Sequence, residues 1–239
     1  MRIIENEKYI QRRAKVGEWA PLVGLGCLFG SVLIMLSYPQ LALWGTLLLG
    51  VGFVASMLGN YYGDRFVGKI AYHVKLQEAL KGLNDQYTLL LYTQVVSFVL
   101  LEPGGVTVLV VKPQSGTVRY ADGRWRHQQR GKFLRQLAGQ ESLIAPAQDA
   151  SQQAKRMADW LAKQLPEEVA ASVPVRGVLV FAAPDVRLEI ESSVPVAALL
   201  LKDLKPWLRK EGRLSKLPQE TRQALAEVFA LEEAATADD

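Results

Sequence analysis

The chain has 239 residues, enough for one medium domain and an accessory element. Its single cysteine, Cys27, excludes an internal disulfide framework. The formal charge of +4 is modest, yet the body of the chain is more basic than that, because acids gather at Glu227–Asp239.

Met1–Val16 is polar and basic, with Arg2, Lys8, Arg12, Arg13 and Lys15 against Glu5 and Glu7. Ile3, Ile4, Tyr9, Ile10 and Val16 fit a short amphipathic helix at a membrane surface or a frayed polar tail. No charged residue occurs between Glu18 and Asp64. A bilayer core takes about 20 apolar residues per helix, so this run is long enough for two. Ser37-Tyr38-Pro39-Gln40 breaks it, which predicts spans at Ala20–Leu36 and Leu41–Gly59 within a hairpin at 19–63. Trp19, Tyr38, Trp44, Tyr61 and Tyr62 fall mostly near the span ends, where aromatic rings favour the interface. Gly26 and Gly30 form a GxxxG that suits close helix approach, within the hairpin or between copies in a homo-oligomer. Lysine and arginine crowd both flanks, which by the positive-inside rule puts both termini in the cytoplasm at the inner (plasma) membrane.

Asp64–Leu83 is expected to be a helix, from Phe66, Ile70, Val74 (or Tyr72), Leu76, Leu80 and Leu83. A strand at Tyr87–Tyr92 leads into Gln94–Trp125, which reads as strands joined by tight turns. Val95–Leu101 is nearly continuous apolar sequence, as in a strand buried on both faces. Pro103-Gly104-Gly105 turns the chain into Val106–Val111, which ends on a lone cation, Lys112. Ser115-Gly116 and Asp122-Gly123 supply further turns around Thr117–Tyr120. Asp149 is a candidate N-cap for a helix from Ala150 to about Leu165, stopped by Pro166. Strands follow at Val173–Phe181, Val186–Ile190 and Val194–Leu201, then a helix near Leu204–Arg209. Leu217-Pro218 opens a last helix, Glu220–Leu231, before an acidic tail at Glu232–Asp239 expected to be disordered. This order describes an α/β domain with a mixed sheet and helices on its faces. The expected divisions are a basic segment at 1–18, the hairpin at 19–63, the α/β domain at 64–217 and a terminal helix and tail at 218–239.

The central stretch resembles the nuclease-related (NERD) domain, a branch of the PD-(D/E)xK, restriction-endonuclease-like fold. Pro103 and Gly105 match that family's Pro-x-Gly turn, and Gly105–Lys112 its Gly-Val-x-Val-x-Glu-x-Lys strand. Gly116 matches its hairpin, Gly123 and Trp125 its Gly-x-Trp, and Asp149–Gln153 its Asn-Pro-x-x-Gln helix. The resemblance spans roughly Asp64–Leu201 and implies a nuclease-like fold.

Hydrolysis by such a fold uses carboxylates to hold Mg²⁺, a hard cation that takes oxygen ligands and activates water. At the matching positions the Asp is replaced by Ser97 and the Glu by Val110. The early-helix Glu aligns with Lys69 or His73, neither an acid, while Lys112 and Gln153 remain. No metal site and no catalytic residue is therefore expected, and no cofactor, with Mg²⁺ entering only if other carboxylates have moved in. Glu102 and Asp122 are the candidates for that, although both read more simply as solvated turn residues. His73 and His127, the two histidines, lie far apart in sequence, with no CxxC or carboxylate partner nearby, which argues against zinc and against a histidine triad. There is no Gly-x-Ser-x-Gly elbow and no phosphate-binding loop.

Lys112 also fits a strand-end lysine whose stem snorkels to the sheet edge. Two basic clusters remain, each a candidate for nucleic-acid phosphate or anionic lipid, or simply a solvated face. Arg119, Arg124, Arg126 and Arg130, with Lys132 and Arg135, follow the central hairpins. Lys202, Lys205, Arg209, Lys210, Arg213 and Lys216 interleave with Leu204, Trp207 and Leu208. The expected function is a membrane-anchored, catalytically degenerate binding or scaffold module. Its rivals are an active metal-dependent nuclease with relocated carboxylates and a purely structural oligomeric membrane protein.

Overall fold

The computed structural model describes residues 1–93, 95–129, 146–191, 194–214 and 216–238. They form two compact units. One contains Met1–Glu7 and the residues from Lys75 onward, and the other is Lys8–Val74.

The first unit is a mixed α/β domain. Its strands are β1 (Arg2–Glu5), β2 (Thr88–Leu91), β3 (Phe98–Glu102), β4 (Gly105–Lys112), β5 (Thr117–Ala121), β6 (Arg124–Gln128), β7 (Val175–Phe181), β8 (Arg187–Ile190) and β9 (Ala197–Leu200). Six of them form a sheet in the order β1-β2-β3-β4-β7-β9. The β2–β3–β4 meander is antiparallel, while β1/β2, β4/β7 and β7/β9 pair in parallel. Every residue of β4 is buried, which explains its near-continuous apolar sequence. One face is covered by the helix Pro146–Gln164, whose Ala150, Ala154, Met157 and Leu161 pack with Val106, Val108 and Val110. That helix crosses β7 at Gly177, where a Cβ would stand 2.4 Å from the Ala150 carbonyl oxygen. The short helix Glu167–Ser172 then leads into β7. The other face carries Leu204 and Leu208 of the helix Leu201–Leu214, both fully buried.

A second sheet, β6-β5-β8, sits beyond the C-terminal end of β4. Its β5–β6 hairpin turns on Asp122 (φ 53°) and Gly123 (φ 72°), two positive-φ residues whose twist matches that of the flanking strands.

The second unit holds two long helices, α1 (Glu7–Ser37) and α2 (Ala42–Phe66), joined through a short 3-10 turn at Pro39–Leu41. Both are long and apolar enough to cross a membrane. Leu22, Val23, Leu25, Phe29, Leu33 and Leu36 of α1 point outward, as do Leu43, Trp44, Leu47, Val51 and Val54 of α2. Their buried seam consists of Gly17, Gly24 and Ser31 against Gly45, Gly52 and Gly59, each set spaced seven residues apart. A seven-residue repeat keeps one stripe facing its partner along a left-handed crossing. Small residues along that stripe let the backbones meet. A Cβ on Gly24 would lie 2.8 Å from the Gly52 carbonyl, and one on Gly59 2.4 Å from Pro21 Cγ. Gly26, by contrast, has nothing within 4 Å, and Gly30 has only Leu48 at 3.4 Å. The close approach within the hairpin therefore does not use the GxxxG pair.

Several expectations are corrected. Arg2–Glu5 is a strand of the sheet, with Ile4 in the core, and Glu7 already begins α1, so the first helix starts well before Ala20. The helix expected at Asp64–Leu83 is broken. Helix α2 runs to Phe66, a 3-10 turn occupies Gly68–Ile70, and a new helix spans Tyr72–Leu80. The expected boundaries at 18 and 217 also fail. Residues at both ends join the domain, since Leu217, Leu225 and Phe229 are part of its core. The last helix spans Gln219–Asp238 in place of a disordered acidic tail, and Phe229 packs on Trp160 with ring centroids 5.5 Å apart.

Candidate functional site

Strand alternation puts Val106, Val108, Val110 and Lys112 on one face of β4 and Thr107, Leu109 and Val111 on the other. Lys112 is thus the polar end of an otherwise apolar row beneath the helix Pro146–Gln164. Its ammonium lies 2.7 Å from Asp149 Oδ2, and Gln153, one helical turn further on, donates to Asp149 Oδ1 at 2.9 Å. Asp149 therefore sits in the helix's first turn and turns its carboxylate to the sheet, in place of the expected capping role. The Lys112 side chain is 11 % exposed and that of Asp149 39 %. Partial burial works to raise the Asp149 carboxyl's pKa. Hydrogen bonds from Lys112 and Gln153 outweigh it and hold the group below the usual carboxylate range.

The neighbourhood is polar and aromatic. Phe181 lies beside Lys112 in the β4/β7 register. Trp125 stacks near Phe181 at 6.1 Å and near Tyr120 at 5.0 Å. After β4 the chain buries Gln114 and Ser115, and His127 Nε2 donates to the Ser115 carbonyl at 2.8 Å.

The remaining motif positions, Ser97 and Val110, add no carboxylate. Ser97 is exposed just before β3, and its carbonyl accepts from the Tyr92 amide at 2.8 Å. Val99 pairs with Val108, so continuing that register two places sets Ser97 across from Val110. Ser97 and Val110 thus face each other across the two strands, one with a hydroxyl and the other with a buried isopropyl group. Among the described residues no three His, Cys, Asp or Glu side chains come together. Asp149 already serves Lys112 and Gln153. This donor set does not fit Mg²⁺, which wants several oxygen ligands in near-octahedral array.

Neither candidate substitute acid lies at Lys112. Glu102 is corrected from a solvated turn residue to a buried one, its side chain 3 % exposed. Arg176 donates to it at 2.8 Å, to Glu211 at 2.8 Å and to Thr107 Oγ1 at 3.0 Å, and stacks 4.5 Å over the Trp207 ring. Thr107 also donates to Glu102. Thr107 and Lys112 project from opposite faces of β4, so this network lies across the sheet from the lysine. Asp122, 86 % exposed, sits in the β5–β6 turn 3.9 Å from Arg126.

Arg119, Arg124 and Arg126 come together on the solvent face of the three-stranded sheet, joined by Arg187, which the sequence reading missed. Register alone reveals it, since Thr117 faces both Gln128 and Arg187. The face is charge-balanced in part, because Arg119 pairs with Glu191 and lies beside Glu189. Arg130, Lys132 and Arg135 lie outside the described residues. In the second basic cluster, Lys205 and Arg209 donate to the carbonyls of Lys81 and Gly82, closing the end of the preceding helix. Arg209 and Lys216 also line an open pocket of about 540 Å³ with Gly82, Asn84, Tyr87 and Pro103.

Arg176, Glu211 and the turned-in Asp149 also escaped the sequence reading. One signal was available: Thr107 and Arg176 are polar interruptions of two apolar strands and are direct partners in the β4/β7 register.

Residues 68–182 match the family model of the nuclease-related domain. No curated protein and no solved structure matches the chain.

Proposed function

We propose, from the premise that residues 68–182 are a nuclease-related domain, that this chain is a membrane-anchored binding or scaffold module that does not hydrolyse phosphodiesters. The carrying observation is the 2.7 Å Lys112–Asp149 pair. A nuclease of this kind keeps its lysine beside carboxylates that hold a metal. Here Lys112 and Asp149 neutralise each other, and Ser97 and Val110 occupy the positions across the strands. The polypeptide can position such a charged pair but has too few oxygen ligands for Mg²⁺.

The anchor is the pair of helices α1 and α2. The strand before them, β1, lies in the same sheet as the strands after them, which supports both flanks of the hairpin being on one side of the membrane. Lysines and arginines at both flanks favour the cytoplasmic side. The ligand of the domain is anionic, met by Arg119, Arg124, Arg126 and Arg187 on the small sheet.

Purified full-length protein, assayed on single- and double-stranded DNA and RNA with Mg²⁺ or Mn²⁺, is expected to leave the substrates intact. Metal-dependent cleavage that disappears in Lys112→Ala overturns the proposal. Extraction at alkaline pH tests the anchor: protein released with peripheral proteins is not membrane-spanning.

A further inference from the structure

The open pocket at Pro103 lies at the opposite end of β4 from Lys112. Gly105 and Lys112 are seven residues apart in that strand, or about 23 Å at about 3.3 Å per residue. The pocket's volume of about 540 Å³ falls among small-molecule sites, which run from about 300 to 1,000 Å³. Leu83, Tyr87 and Pro103, all buried, make an apolar floor, and the Tyr87 hydroxyl is turned to the Leu208 carbonyl at 3.4 Å. Two cations from separate segments line the pocket with them. Arg209, on the helix Leu201–Leu214, donates to the Gly82 carbonyl at 3.0 Å. Lys216 is set in place by its neighbour Leu217, which is buried and whose amide donates to the Pro103 carbonyl at 2.8 Å.

Closing the end of a helix accounts for Lys205 and for the one hydrogen bond of Arg209. It does not account for Lys216, which is exposed and pairs with no carboxylate among the described residues. Among those residues no acid lines the pocket. The acids nearby in the chain are engaged elsewhere. Asp85 pairs with the Met1 ammonium at 2.9 Å, while Glu102 and Glu211 both pair with Arg176 at 2.8 Å. A cleft lined by one sign of charge concentrates ions of the other sign. A guanidinium has five N–H donors in a planar fork, and Arg209 engages one of them among the described residues. The bond to Gly82 orients that fork, so less side-chain freedom is lost when it takes a phosphate. Gln86 adds a side-chain amide to the lining. Its oxygen faces Asn84 Nδ2 at 3.4 Å, and its nitrogen has no partner among the described residues.

We propose that this pocket binds a mononucleotide, with its phosphate between Arg209 and Lys216 and its base on the floor of Leu83, Tyr87 and Pro103. The Gln86 amide meets the polar edge of the base. A bare anion leaves the apolar floor uncovered, and an apolar ligand leaves two cations without a counter-charge. The site lies apart from the basic face of the small sheet and does not depend on α1 and α2 being membrane spans.

Full-length protein in mild detergent is titrated calorimetrically with the four ribonucleoside monophosphates, with the parent nucleosides and with inorganic phosphate. At least one monophosphate is expected to bind, with its nucleoside and inorganic phosphate each about tenfold weaker or worse. Lys216→Gln is expected to weaken that nucleotide about tenfold at an unchanged melting temperature, and Lys216→Arg to retain it. Lys81→Gln removes the same charge from an exposed neighbour that does not line the pocket, and is expected to leave affinity unchanged. Equal losses in Lys216→Gln and Lys81→Gln overturn the site in favour of diffuse charge. A nucleoside that binds as tightly as its monophosphate removes the role of the two cations. Inorganic phosphate that binds as tightly leaves a free-anion site and overturns the nucleotide. Binding of none of the four monophosphates overturns the proposal outright.

Discussion

Lys112 Nζ and Asp149 Oδ2 lie 2.7 Å apart, and the second oxygen of the same carboxylate accepts from Gln153 at 2.9 Å. The pair ties the last residue of the central strand to the first turn of the helix that covers it, a strand-to-helix clasp.

The clasp predicts a pH dependence. The Asp149 carboxyl is held below its ordinary value of 3.8 in the folded protein. The ionised form is thus the one that folding favours. Its contribution is complete well above pH 3.8 and is lost as pH falls through the lower folded value. Asp149→Asn is expected to cost about 1 kcal/mol near neutrality, a small figure because the acid is partly exposed and solvent screens the pair. The gap between variant and wild type should close on acidification. A thermal-unfolding difference that stays constant from pH 7 to pH 3 would show that the pair carries no stability.

The buried network across the sheet should be far more costly to break. Arg176→Met leaves the Glu102 carboxylate, 3 % exposed, without its cation. Removing one partner of a buried pair costs about 3–5 kcal/mol. Glu102→Gln in the same chain should restore part of the loss, because a neutral amide no longer needs the arginine. Denaturant unfolding of the two single variants and the double variant measures this coupling. Simple additivity would refute it.

Helix approach within the hairpin can be tested with two glycines only two residues apart. Gly24→Leu drives a side chain into Ser56 and the Gly52 carbonyl, whereas Gly26→Leu meets open space. Overpacking of this kind costs about 1–3 kcal/mol. Gly24→Leu is expected to lower the melting temperature of the detergent-purified protein, and Gly26→Leu to leave it unchanged. Equal effects would mean that the seam lies elsewhere.

The amino-terminal strand makes a prediction for the domain. Ile4, 6 % exposed, packs in the core cluster, facing Leu90 in the β1/β2 register. Ile4→Asp is expected to destabilise the α/β unit by several kcal/mol, since an unpaired charge would replace buried apolar surface. Protease resistance of the domain in membranes reads this out. A fully resistant Ile4→Asp domain would place the strand outside the cooperative core.

What could be read from sequence followed the strength of local signals. Strands β4 and β7 are apolar runs bounded by turn residues, and Asp122-Gly123 is a hairpin turn whose residues announce their backbone angles. The helix Pro146–Gln164 has a clear apolar face. The misses share one cause, a dependence on partners far along the chain. Arg-Ile-Ile-Glu at 2–5 is too short to show a period, and its strand exists because β2 offers an edge. Helix α1 begins at Glu7 because hydropathy marks where water ends, not where a helix starts. Asp149 has the position of a cap but finds Lys112, and Glu102 follows a strand into a turn yet finds Arg176. In both cases a tertiary cation decided the outcome.

The register Arg2↔Thr88 also sets an order of events during synthesis. The first strand leaves the ribosome before either long helix, and its partner emerges only after both. The sheet therefore cannot close its β1 edge until the hairpin is fully made, so synthesis of the two long helices precedes completion of the domain. Until then Ile4 has no β2 edge to pack against.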